Sequence, residues 1–93
     1  MTKNKTNKED NIEIIECADG TKCWYLNGKR HREDGPAVEF ADGTKIWFLN
    51  DKRHREDGPA IEWADGTKKW FLNDKEYTKE TWFVEMIQSE KIK

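Results

Sequence analysis

The chain has little of what most site chemistries require. Of its 93 residues, two are Cys, two are His, two are Pro, and Ser89 is the sole serine. Two cysteines are too few for a four-ligand zinc site without help from distant histidines, and one serine near the end provides no Ser-His-Asp set. No run of apolar residues reaches even ten, so the expectation is no transmembrane helix, no signal-peptide core and a cytoplasmic location. Charge of one sign is lacking as well. The formal net charge is −2, and acids and bases are interspersed, with four of each in Ala18–Phe40 and five acids against four bases in Ala41–Trp63. A mixed, near-neutral surface argues against electrostatic capture of bulk DNA or of a membrane, and equally against a dense acidic mimic of nucleic acid.

What the chain does have is aromatics. Five Trp, four Phe and two Tyr within a sequence that is 39% charged are foreign to disordered composition, and imply one small domain whose core is built from few but large side chains. The exception is the polar start, MTKNKTNKEDN; residues 1 to 11 read as a disordered lead-in.

The aromatics recur. ADGTKCWYLNGKRHREDGPAVEF at Ala18–Phe40 returns as ADGTKIWFLNDKRHREDGPAIEW at Ala41–Trp63 and begins again at Ala64, so the spacing from Ala18 to Ala41 equals that from Ala41 to Ala64. Such self-similarity marks an array in which each unit buries its apolar face only against its neighbours. Ile12–Cys17 aligns with Gly35–Phe40 and Gly58–Trp63, so the first ordered segment is a half-unit. Asp-Gly between extended apolar-rich segments signals a hairpin, which predicts three, centred on Asp19-Gly20, Asp42-Gly43 and Asp65-Gly66.

A two-residue turn pairs Phe40 with Lys45 and Val38 with Trp47; a three-residue Ala-Asp-Gly loop with a bulge shifts the register by one. In the two-residue register Trp24, Trp47 and Trp70 over Leu26, Leu49 and Leu72 form the core, because that face recurs unchanged. Tyr25, Phe48 and Phe71 with Ile46 then form an exposed aromatic stripe. Lys45 and Lys68 lie over Phe40 and Trp63, and Cys17 and Cys23 fall on opposite sides of the sheet as free thiols. Asn-Gly or Asn-Asp opens a turn after each long strand, and Arg-His-Arg-Glu beyond it reads as either a short extended piece or a loop.

After Asn73-Asp74-Lys75 the period changes. Trp82, Phe83, Met86 and Ile87 share one helical face, and Thr78 is the N-cap. The reading is a helix from Thr78 to about Lys91 whose apolar face docks on the last hairpin. The fold class is therefore mostly β with a C-terminal α-helix: stacked antiparallel β-hairpin repeats over residues 12–77, forming an elongated twisted sheet capped by residues 78–93.

The 23-residue period, the aromatic strand, the Asn-Gly-Lys-Arg-His turn and the Asp-Gly junction resemble MORN repeats, and the words LNGKRHREDGPA and ADGTKxW are similar to a variant of that repeat in small phage and bacterial proteins. The connection Arg32-Glu33-Asp34-Gly35 is longer and more charged than in standard MORN units. The resemblance implies hairpins in a single-layer sheet and a non-enzymatic scaffold for protein or lipid interaction. Phage proteins of this size are often inhibitors of host machinery, CRISPR-Cas defence proteins included, and by that base rate alone such an inhibitor is expected.

Candidate chemistry is sparse. His31 and His54 each sit between two arginines, whose charge disfavours a metal ion. Glu33-Asp34 and Glu56-Asp57 lie in polar connections, a poor setting for acid-base catalysis. The reading is no catalytic residue, no cofactor and no metal. A protein partner is expected to bind through Arg30, His31, Arg32, Arg53, His54 and Arg55 or through Tyr25, Phe48 and Phe71; self-association through a sheet edge or exposed face belongs to the same class. The alternative is nucleic acid, with the Arg rows on phosphates and the aromatics on bases.

Overall fold

The computed structural model of the protein describes residues 11–92, with side chains through Gln88. The lead-in assigned to residues 1 to 11 lies outside the described residues except for Asn11, whose backbone N–H donates to Asn27 Oδ1 at 3.1 Å.

Two kinds of turn build every unit. At Asp-Gly, the Gly43 N–H donates to Phe40 O at 3.0 Å and the Phe40 N–H to Thr44 O at 2.8 Å. That is a three-residue Ala-Asp-Gly loop in which Gly43, at φ 98°, forms the bulge. Asp42 Oδ1 accepts the Thr44 N–H at 2.9 Å and fixes the turn. The same geometry occurs at Cys17–Thr21 and Trp63–Thr67. The second kind of turn adds three hairpins to the three expected. Asn27-Gly28, Asn50-Asp51 and Asn73-Asp74 all have positive φ at both positions, as the tight turn matched to strand twist requires.

The resulting strands are β1 (Ile12–Glu16), β2 (Lys22–Leu26), β3 (Lys29–Arg30), β4 (Val38–Glu39), β5 (Lys45–Ile46), β6 (Phe48–Leu49), β7 (Lys52–Arg53), β8 (Ile61–Glu62), β9 (Lys68–Leu72) and β10 (Lys75–Tyr77), followed by helix α1 (Lys79–Ile92). All pairings are antiparallel. Strands run β1-β2-β4-β5-β8-β9-β10, with β3 on β2 and β6 on β7. The body measures 47 × 38 × 16 Å. Two face-to-face sheets need about 10 Å between backbones alone, before outer side chains are counted, so a 16 Å depth leaves room for little more than one layer.

The first two long segments switch neighbours on one edge at their Trp. The middle segment breaks into β5 and β6 at Trp47, whose N–H donates to Ala60 O at 2.8 Å while its C=O accepts the His54 N–H at 3.1 Å. Trp24 does the same with Ala37 (2.8 Å) and His31 (3.1 Å). Arg-His-Arg is thus extended, and it pairs forward as well: Arg32 N–H donates to Phe48 O at 3.1 Å and Arg55 N–H to Phe71 O at 3.2 Å.

The three-residue loop reverses the expected faces. Glu39 pairs with Lys45 and Val38 with Ile46, so the extra residue moves Val38 to the side of Ile46 and Phe48. The core is that side: Ala37, Val38 and Phe48 form one cluster and Ala60, Ile61 and Phe71 the next, with Ile46 packed against both. The expected core of Trp24, Trp47, Trp70 and the three leucines is only half-buried, and the expected exposed stripe is inside, Phe48 being 6% and Phe71 4% exposed. Lys45 faces Glu39 rather than Phe40, and Lys68 faces Glu62 rather than Trp63. Across the sheet Glu16, Lys22, Glu39, Lys45, Glu62 and Lys68 oppose one another in sequence. Each opposite-charge pair is worth about 0.2–1 kcal/mol. The shift also puts Cys17, which donates to Thr21 O, on the same side as Cys23; both are free thiols.

Helix α1 starts as expected, with Thr78 Oγ1 accepting the Thr81 N–H at 3.2 Å. Its docking is narrower than expected. Trp82 is buried, and its indole Nε1–H donates to Arg55 O at 3.0 Å. Met86 is half-buried, whereas Phe83, Val84 and Ile87 are exposed. A sheet one layer deep offers the helix a single line of contact. No helix among the described residues is long and apolar enough to cross a membrane.

Phe71→Ala is expected to cost about 3–5 kcal/mol, most of the stability of a domain this small. Phe40→Ala, at an exposed ring, is expected to cost only about 0.5 kcal/mol. Urea unfolding followed by circular dichroism distinguishes the two, and the reverse order would invalidate the core assignment.

Candidate interaction surface

The two Arg-His-Arg-Glu-Asp-Gly-Pro connections, the ridges, begin in β3 and β7, and each polar side chain in them is engaged within the protein. The Arg32 guanidinium lies 3.9 Å from the centroid of the Trp24 ring, and that of Arg55 lies 3.8 Å from Trp47. Arg55 Nε donates to Asp57 Oδ1 at 2.9 Å, and Nη1 donates to Pro59 O and to Glu62 Oε2, both at 3.0 Å. Arg32 repeats the set with Asp34, Pro36 O and Glu39 at 2.9, 3.1 and 3.4 Å. The glycine in each connection is required by this stack. A Cβ on Gly58 would lie 2.9 Å from Arg55 Cζ, and one on Gly35 would lie 3.0 Å from Arg32 Cζ.

Arg30 and Arg53 work between units. Arg30 stacks on Phe48 at 4.1 Å and donates from Nε to Asp51 Oδ1 at 2.8 Å. Arg53 stacks on Phe71 at 4.3 Å and donates to Asp74 Oδ1 at 2.6 Å. Asp51 and Asp74 also accept the backbone N–H of these arginines, so one carboxylate satisfies a turn and a neighbouring unit together. The imidazoles are linkers as well. His31 Nδ1 accepts the Asn50 N–H and His54 Nδ1 accepts the Asn73 N–H, each at 2.9 Å. This places the ring proton on Nε2, which donates to Glu33 Oε2 at 3.1 Å in His31 and to Glu56 Oε2 at 2.9 Å in His54. The lone pair that a metal would need is occupied.

The residues expected to meet a partner are therefore placed unevenly. Phe48 and Phe71 are core, Tyr25 is half-buried, and the four arginines and two histidines are partly covered and internally bonded. What the ridges offer to solvent is their carboxylates. Glu33, Asp34, Glu56 and Asp57 have side chains 79, 87, 64 and 86% exposed, against 24 and 20% for Arg32 and Arg55. Between the ridges runs a groove of about 720 Å³, lined by these acids, by the less exposed Arg32, His54 and Arg55, and by Trp47, Leu49 and, from the helix, Met86. Sequence reasoning passed over this groove, since its walls come from successive units of the repeat and Met86 arrives only through the turn of the helix.

Charge-assisted bonds set the titration of several aspartates. Bonds from the Arg30 and Arg53 side chains hold the Asp51 and Asp74 carboxyls below the ordinary carboxylate value. The Arg32 side-chain bond does so for Asp34, and the Thr44 and Thr67 backbone N–H groups do so for Asp42 and Asp65. A carboxyl depressed on folding stabilises the protein above its unfolded-state value, and that stabilisation is lost as pH falls through the folded value. Stability is thus expected to hold at neutral pH and to decline once pH falls below about 4. Asp51→Asn/Asp74→Asn should be less stable at neutral pH and show a shallower acid loss in thermal melts. A separate expectation concerns the stack. Arg55→Lys, which cannot reproduce the fork, should cost about 1–2 kcal/mol in urea unfolding and red-shift Trp emission; an unchanged midpoint would remove the stack from the stability account.

No family model, curated protein or solved structure matches the chain.

Proposed function

We propose that the protein is a non-enzymatic protein-interaction module of the MORN-like repeat type, which docks a protein partner in the groove between its two ridges. The observation that carries this reading is the groove's composition: an apolar floor of Trp47, Leu49 and Met86 beneath a rim of exposed carboxylates. Such a surface fits a segment that offers an apolar anchor flanked by Lys or Arg. Nucleic acid is the weaker reading, because Arg30, Arg32, Arg53 and Arg55 each bond an internal carboxylate and Arg32 and Arg55 are far less exposed than the acids beside them. A bacterial defence protein such as a CRISPR effector, a frequent target of small phage proteins, enters as one candidate for the partner.

The four arginines are poor probes, since their loss would unfold the ridges. Glu33→Lys/Glu56→Lys cancels the net negative charge of the rim while leaving the His Nδ1 bonds in place. Immobilised wild-type protein should retain a protein from bacterial lysate at low salt. The double variant, with an unchanged circular dichroism spectrum, should lose it, as should the wild type at high salt. Retention by the variant, or recovery of nucleic acid instead of protein, would overturn the proposal.

A further inference from the structure

The first strand of the array has one neighbour fewer than its counterparts. Val38–Glu39 of β4 is flanked by Cys23–Lys22 of the preceding long strand as well as by Ile46–Lys45 of the following one. Ile61–Glu62 of β8 is likewise flanked by Ile46–Lys45 and by Lys69–Lys68. Among the described residues, Ile15–Glu16, which stands at the same place in the repeat, pairs only with Cys23–Lys22. The free edge of β1 is therefore the edge that, twice within this chain, receives a Lys-apolar-Trp strand. Every residue of β1 is exposed, with Ile12, Ile14 and Ile15 at 63, 57 and 46%, an apolar surface that edge strands ordinarily avoid.

We infer that β1 is a strand-addition site for an extended segment of a partner protein, paired antiparallel, with Lys opposite Glu16, an apolar residue opposite Ile15 and an aromatic residue opposite Ile14. The chemistry of the occupant follows from the two internal precedents: Lys22 and Lys45 face Glu39 and Glu62, and Cys23 and Ile46 face Val38 and Ile61. Main-chain hydrogen bonds hold such a strand and alternate side chains select it. A second copy of this chain is the poorer match. Two β1 strands related by a two-fold axis through Ile14 set Glu16 against Ile12 and Glu13 against Ile15, with no cation in the register. The edge of β9 presents Lys69, bridged to Glu76 at 3.1 Å, where Ile15 needs an apolar neighbour. The inference stands apart from the ridge groove, and either can fail alone.

The probe is a synthetic peptide carrying the sequence of residues 43–49, Gly-Thr-Lys-Ile-Trp-Phe-Leu, with a solubilising tail, titrated into isotope-labelled full-length protein. Amide shifts confined to Ile12–Glu16 and their β2 partners are expected. A peptide with Lys→Glu should bind at least tenfold more weakly, and Ile15→Lys in the protein, at an exposed position, should abolish the shifts while leaving the rest of the spectrum intact. No perturbation of β1 at millimolar peptide, or equal binding of the Lys→Glu peptide, would overturn the inference. So would sedimentation showing a concentration-dependent dimer that Ile15→Lys dissolves, which would make the occupant a second copy.

Discussion

A guanidinium stacked on an indole holds each of the first two units together. The strands leave Trp24 and Trp47 only half-buried, and an indole left in water contributes little to folding. Arg55 supplies the cover for Trp47, and Arg32 for Trp24. Each guanidinium must then be kept flat, which accounts for the residues that follow it. Asp57 takes Nε, Pro59 O and Glu62 take Nη1, and Gly58 leaves room that a Cβ would fill. Ala60, fully buried, accepts the Trp47 N–H from beneath. The recurring word Arg-Glu-Asp-Gly-Pro-Ala, followed by Val-Glu or Ile-Glu, is thus a lid and its fastenings.

The units differ where a neighbour is missing. Asp51 and Asp74 hold the arginine of the preceding unit, while the first unit has no predecessor and carries Gly28 at that turn. Arg53 and Arg55 reach forward to Asp74 and Phe71, while the third unit has no successor and carries Glu76 and Thr78 instead. There the helix takes over, with Trp82 bonded to the Arg55 carbonyl. Array proteins need atypical ends because the interior interface has nothing to pair with there. The C-terminal end is closed by a helix and an edge lysine, whereas among the described residues the N-terminal end keeps an open strand of three exposed isoleucines. That asymmetry separates an edge that is closed off from one that is available.

The same internal bonding decides the sign of the surface. Four arginines and two histidines in two ridges read as a basic feature, yet stacking draws the guanidiniums down while the carboxylates that fasten them stand up into water. Charge counted along the chain is balanced; charge presented at the ridge is negative. This is why a groove with an apolar floor and an acidic rim appears where the letters suggested a cationic row.

The period, the mostly β class, the Asp-Gly hairpins and the Thr78 cap were all legible in the sequence, because each depends on local chemistry: positive φ at Gly43 and at the Asn-Asp turns, a hydroxyl at a helix start, words that return at a fixed spacing. Which face is buried was not legible. Alternation has a period of two, so one bulged residue at Asp-Gly exchanged the faces and sent Phe48 and Phe71 inward while Trp24 and Trp47 went outward under arginine lids. The site depended on the same step. Composition determined by itself that the chain folds as repeats around large aromatics. Only the tertiary structure decided that the arginines are spent inside and that the acids and the first strand are left facing outward, because contacts between successive units settle which polar groups find a partner and which must be left to water.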